Sequence, residues 1–155
     1  MLLKTTTLFA LLATATAAPA PLDKRLNGCG ISSFTSEVSS SSPLSSDCQW
    51  LVSVLAQPFL GSGGWELSGS WSDVLTYDSC AFSARSIRGA RATIGNEDAY
   101  DLLRDSLRDG ARNGRVGARG EMKCGNVDVE WRVGAPVGQA SGGGPSIGFG
   151  KRAEE

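Results

Sequence analysis

Four cysteines, Cys29, Cys48, Cys80 and Cys124, lie 19, 32 and 44 residues apart in a chain of 155 residues that has no histidine. An even, widely spaced set of this kind makes either two disulfides or a metal cage. The cage is disfavoured, because there is no Cys-x-x-Cys pair, no imidazole to complete a mixed site, and no spacing that matches a compact zinc knuckle. Two disulfides require an oxidising compartment, and the N-terminus provides a route to one. Met1 to Lys4 is a short cationic start, and Thr5 to Ala18 is an apolar run of small residues too short for a stable bilayer anchor. Residues 1–17 therefore read as a secretory signal peptide, with Ala15 and Ala17 meeting the small-x-small rule at its cleavage site. Residues 18–25 read as a pro-segment ending in the dibasic pair Lys24-Arg25, in a stretch open to a processing protease. A second dibasic pair, Lys151-Arg152, lies near the C-terminus.

The same counts exclude several functions. Without histidine there is no Ser-His-Asp or Cys-His catalytic pair and no imidazole pH switch. Fifteen basic against sixteen acidic residues leave no cationic excess for displacing counterions from nucleic acid. No apolar run after Ala18 is long enough to span a membrane, so a secreted, extracellular protein is expected. No cofactor or metal is expected either, nor any catalytic residue.

Local patterns give the elements. Nine of the fifteen residues from Ser32 to Ser46 are serine, which reads as a loop that is extended, mobile or covered. Ser46 or Asp47 is placed to cap an amphipathic helix over Cys48 to Gln57. Trp65 to Ser68 and Val74 to Tyr77 read as short extended segments. Cys80 to Ala84 reads as a strand that Arg91 to Ile94 extends or follows. Asn96 is placed to cap a second helix whose buried stripe is Ala99, Leu102, Leu103 and Leu107, ending at Gly110 or Gly114. Val116 to Cys124 reads as a strand, Gly125-Asn126 as a two-residue hairpin turn, and Val127 to Val133 as a strictly alternating strand.

Two helices on one face of a small antiparallel sheet bury both apolar stripes at once, so the expected fold is α+β, a disulfide-stabilised two-layer sandwich. It is expected over residues 29–133, with a disordered Gly/Ser-rich tail over 134–155. Four cysteines allow three connectivities, and the sequence does not choose among them. Cys48 with Cys80 and Cys29 with Cys124 is preferred, since it ties a helix start to a strand and the N-terminus to a late strand.

The order of Cys29 near Phe34, Asp47-Cys48 opening a helix, Cys80-Ala81-Phe82 on a strand, Gly120-x-Met122-x-Cys124 and a final strand bearing Trp131 resembles the fungal extracellular-protein-2 effector family. That family is also called the putative necrosis-inducing factor family. The resemblance covers about Cys29 to Val133. It implies a killer-protein-4-like fold and a small secreted fungal protein that acts on a plant host as a virulence or cell-death-inducing factor. Its partner would be a host protein or cell-surface component, bound by a monomer. The same fold occurs in a virally encoded fungal toxin that perturbs calcium channels, so a killer-toxin-like antagonist of competitor membranes or channels is an alternative. This chain has far fewer cysteines than that toxin and an acidic rather than a basic balance.

Two groups of residues are candidates for partner binding. Arg104 and Arg108 are interleaved with Asp101, Asp105 and Asp109 and read as a solvated helix face. Arg112, Arg115 and Arg119 have no acidic residue between them, so they could form a cationic rim for a carboxylate, a phosphate or an anionic lipid. Trp65 and Trp71 lie in a Gly- and Ser-rich stretch and could offer a recognition surface. Asp128 and Glu130, two apart on one strand face, raise the alternative of a small carboxylate hydrolase. That chemistry needs a cleft and one raised pKa, and the sequence suggests neither, so the chain is expected not to be an enzyme.

Overall fold

The computed structural model describes residues 27–57 and 63–137, together with the backbone of a short strand at Gly148–Phe149. The signal peptide, the pro-segment and Lys151-Arg152 lie outside the described residues. In chain order the elements are β1 (Thr35–Ser36), α1 (Ser45–Leu55), β2 (Gly64–Leu67), β3 (Ser72–Tyr77), β4 (Cys80–Ser86), β5 (Ala92–Gly95), α2 (Asn96–Gly110), β6 (Ala111–Arg112), β7 (Arg115–Val116), β8 (Ala118–Cys124), β9 (Val127–Gly134) and β10 (Gly148–Phe149). The fold is α+β and disulfide-stabilised. A six-stranded sheet in the order β1-β8-β9-β4-β3-β10 pairs antiparallel throughout, and β2-β5 and β6-β7 form two small antiparallel ribbons.

Alternation sorts the main sheet into two faces. Val129, Trp131 and Val133 of β9 are buried, and so are their partners Met122 and Ala118 on β8 and Phe82 and Ala84 on β4. Leu51, Val52 and Leu55 of α1 and Ala99 and Leu103 of α2 complete this core. Trp50 of α1 stacks on Tyr77 of β3 at 4.1 Å between ring centres. The Trp131 indole N–H is satisfied by Ser32 Oγ at 2.6 Å, as a buried indole requires.

Both disulfides take the preferred pairing. Cys48–Cys80 fastens α1 to β4, and Cys29–Cys124 fastens the N-terminal segment to the end of β8. In the chain-entropy account, loops of 95 and 32 residues correspond to about 4.7 and about 3.7 kcal/mol of stabilisation taken singly.

The structure corrects the expectations at several places. Helix α1 starts at Ser45 after Leu44, whose apolar side chain supplies no cap, so Ser46 and Asp47 lie inside its first turn. The Asp47 carboxylate accepts from the backbone N–H and hydroxyl of Ser79 in the β3–β4 turn. Asn96 is the first residue of α2 rather than its cap. The cap is Gly95, whose N–H donates to Asp98 Oδ2 at 2.9 Å. The expected strand from Val116 breaks at Gly117, where a Cβ would stand 2.7 Å from the Glu37 carbonyl. Arg91 to Ile94 does not extend β4, since β5 pairs with β2 in a separate ribbon. The serine-rich loop is exposed along most of its length but bonded to the sheet: β1 pairs with β8, Gly30 and Ser33 donate to the Lys123 and Glu121 carbonyls, and Glu37 to that of Gly117. Within the expected tail, Gly134 belongs to β9, Val137 N–H donates to Asp73, and Gly148–Phe149 pairs with β3. Residues 138–147 and 150–155 are outside the description.

Candidate functional site

The candidate site is the face of the main sheet turned away from the helices. The register that buries Val129 and Trp131 sends Glu130 and Arg132 of β9 to this face, with Arg119 and Glu121 of β8 and Arg85 of β4 beside them. Ser33, Thr35 and Glu37 of the N-terminal segment border it on one side, and Trp71, just ahead of β3, on the other. The result is a polar groove of about 580 Å³. Gly120 contributes backbone to its floor, and a Cβ there would run into the Ser33 carbonyl and the Trp131 ring.

Its charges are mostly matched within the chain. Arg85 is ion-paired with Glu130, and Arg119 with Glu37 at 2.9 Å. The guanidinium groups of Arg85 and Arg132 both lie over the Trp71 ring, 4.9 Å from its centre. Trp71 therefore acts as a platform that orients two cations.

The expected binding residues separate on this framework. Trp71 and Arg119 line the groove. Trp65 is a core residue, 5% exposed and paired with Ile94 across the β2–β5 ribbon, so it offers no recognition surface. Arg112 and Arg115 face each other across the β6–β7 ribbon, whose Asn113-Gly114 turn has φ of 50° and 72°. Arg115 donates to the Ser42 carbonyl and Arg112 to those of Ala111 and Asp109. These two anchor the chain locally and do not share the partners of Arg119. Arg104 and Arg108 pair with Asp101 and Asp105 three residues back, as a solvated helix face does.

The carboxylates Asp128 and Glu130 do not make an acid–base pair. Each has its own cation, Lys123 for Asp128 and Arg85 for Glu130. The hydrogen bond and charge of Lys123 hold the Asp128 carboxyl below the usual range, the opposite of what a general acid needs. Among the described residues no group of three Cys, Asp or Glu could hold a metal ion, and no helix is long and apolar enough to cross a membrane.

Arg85, Glu37 and Glu121 are groove residues that the sequence did not point to. Glu121 could have been found by alternation, since it is two residues from both Arg119 and Lys123 on one strand. Arg85 and Glu37 reach the groove only through the pairing of β4 with β9 and of β1 with β8.

A model of the Hce2 family, described as "Pathogen effector; putative necrosis-inducing factor", matches residues 28–124. The match contains all four cysteines and both bridges, and it ends before β9. No curated protein matches the chain.

Proposed function

Because the chain belongs to the Hce2 family of pathogen effectors, we propose that it is a small secreted fungal protein that acts on a plant host as a virulence or cell-death-inducing factor, by binding a host target rather than by catalysis. The observation that carries this reading is the family match across the whole disulfide-bonded stretch from residue 28 to Cys124. Two disulfides agree with an extracellular site of action. The groove supports binding over catalysis, since Glu130 and Glu37 are tied to arginines and the remaining carboxylate, Glu121, is exposed rather than held in a buried cleft.

The test is infiltration of leaf tissue with the full chain, secreted by a eukaryotic expression host so that both bridges form, followed by measurement of ion leakage. The oxidised protein is expected to raise leakage, and protein reduced and alkylated at its cysteines is expected not to. Asp128→Asn, which keeps the fold, should retain the response. Loss of the response in a folded Asp128→Asn protein would favour carboxylate chemistry instead.

A further inference from the structure

The outward charges of β8 and β9 are sorted by row. Arg119 stands directly opposite Arg132, and the next outward pair along the strands sets Glu121 opposite Glu130. Like charges facing each other across an antiparallel pair cost stability. The third row shows the alternative, with Lys123 opposite Asp128 in an ion pair. Partners from elsewhere in the chain neutralise one member of each like-charged row, Glu37 for Arg119 and Arg85 for Glu130. Arg132 and Glu121 remain. Arg132 makes no ion pair among the described residues, and its Nε is buried without an acceptor while its guanidinium lies over Trp71. The Glu121 carboxylate is exposed and has no hydrogen bond or ion pair among the described residues.

One unmatched cation on β9 and one unmatched anion on β8 thus face the same groove as a diagonal pair, roughly 7–8 Å apart. Side chains i and i+2 of an extended peptide have a similar spacing on one face. We propose that the groove docks an extended segment of a partner protein carrying an acidic and a basic side chain two residues apart, the acid toward Arg132 and the base toward Glu121. A planar carboxylate fits the guanidinium fork, and stacking on Trp71 holds that fork in place before the ligand arrives. A polyanionic glycan or lipid surface fits less well, because Glu37, Glu121 and Glu130 line the same groove. Trp71 is already engaged by two guanidinium groups and is not a free platform for a sugar ring. The inference rests on the target-binding reading for the partner's being a host protein, and the docking itself is measured apart from any leaf response.

Four capped heptapeptides that differ only at positions three and five, carrying Glu/Lys, Lys/Glu, Glu/Glu or Lys/Lys, are titrated into the secreted, oxidised chain and followed by NMR. One mixed peptide is expected to bind about tenfold tighter than both like-charged peptides, the gain that one charge-assisted contact supplies. It should move the Trp71 indole and Arg132 side-chain signals. Arg132→Gln and, independently, Glu121→Gln at an exposed position should each remove that preference while leaving the dispersion of the amide spectrum unchanged. Equal binding of all four peptides, preference for Glu/Glu, or shifts confined to residues outside the groove would overturn the proposal. Tighter binding of polygalacturonate or of phosphatidylserine vesicles at the same signals would overturn it too. Mixed-peptide binding by a protein that leaves leaf tissue unaffected would defeat the effector reading and leave the docking intact. A leaf response without mixed-peptide binding would do the reverse.

Discussion

Gly120 has no room for a methyl group, since a Cβ would meet the Ser33 carbonyl and come within 2.9 Å of the Trp131 ring. The crowding arises because the N-terminal segment passes over β8 to bring the Ser32 hydroxyl to the Trp131 N–H. Gly120→Ala should therefore destabilise the protein by about 2–3 kcal/mol through overpacking. That corresponds to roughly 10–20 °C in melting temperature for a domain of this size, readable by circular dichroism. An unchanged melting temperature would mean that the segment does not lie over β8. Asp128 provides a second residue-level test. Its carboxyl is held below the usual range by Lys123, so the ionised form is favoured in the fold. The resulting stabilisation is present at neutral pH and is lost as pH falls through the lowered value. The pair is exposed, which keeps the effect small. Lys123→Met should move the Asp128 titration upward in NMR, and an unmoved titration would show that the two groups do not pair in solution.

At the level of elements, the start of α2 depends on Asp98. Its carboxylate accepts from Gly95 N–H at 2.9 Å and also from Gly28 and Cys29 N–H at 3.1 and 3.2 Å, so one side chain caps the helix and holds the N-terminal segment. Asp98→Ala should cost about 2–4 kcal/mol in urea unfolding, and Asp98→Asn, which keeps one acceptor oxygen, should cost less. Equal costs would show that only one of the three contacts matters. The existence of most elements was legible in the sequence, because β9 alternates strictly, α2 carries a helical stripe and Gly125-Asn126 marks the hairpin. Helix starts were not legible, because cap-type residues have other uses: Asp47 reaches across to Ser79, and Asp98 caps from inside the helix. The Asn113-Gly114 turn carries a strong hairpin signal, obscured by the helix ending at Gly110 just before it. Of the groove, Trp71 and Arg119 were anticipated as binding residues, and Glu130 was placed with Asp128 on one strand face. Arg85 and Glu37 join them only through strand register, which no local pattern encodes.

For the molecule as a whole, the two bridges divide the work between them. Cys48–Cys80 lies in the core, whereas Cys29–Cys124 holds the segment that forms one wall of the groove. Replacing Cys29 and Cys124 together by Ala should cost about 4–5 kcal/mol, comparable with the net stability of a small domain. Hydrogen exchange should quicken first at the amides of Gly30 and Ser33, which bond to β8, while α1 stays protected. Uniform acceleration throughout would mean that the segment and the core open as one unit. The groove wall, the buried Trp131 and the paired arginines then form one device, an oxidised framework that presents a charged face. The most direct test of that account is a leaf ion-leakage dose response for the secreted, oxidised chain beside its folded Arg119→Gln plus Arg132→Gln variant. The account predicts that the wild type is active and that the variant needs about tenfold more protein for the same leakage, in keeping with lost charge-assisted contacts. Identical dose responses, or no response to either protein, would contradict it.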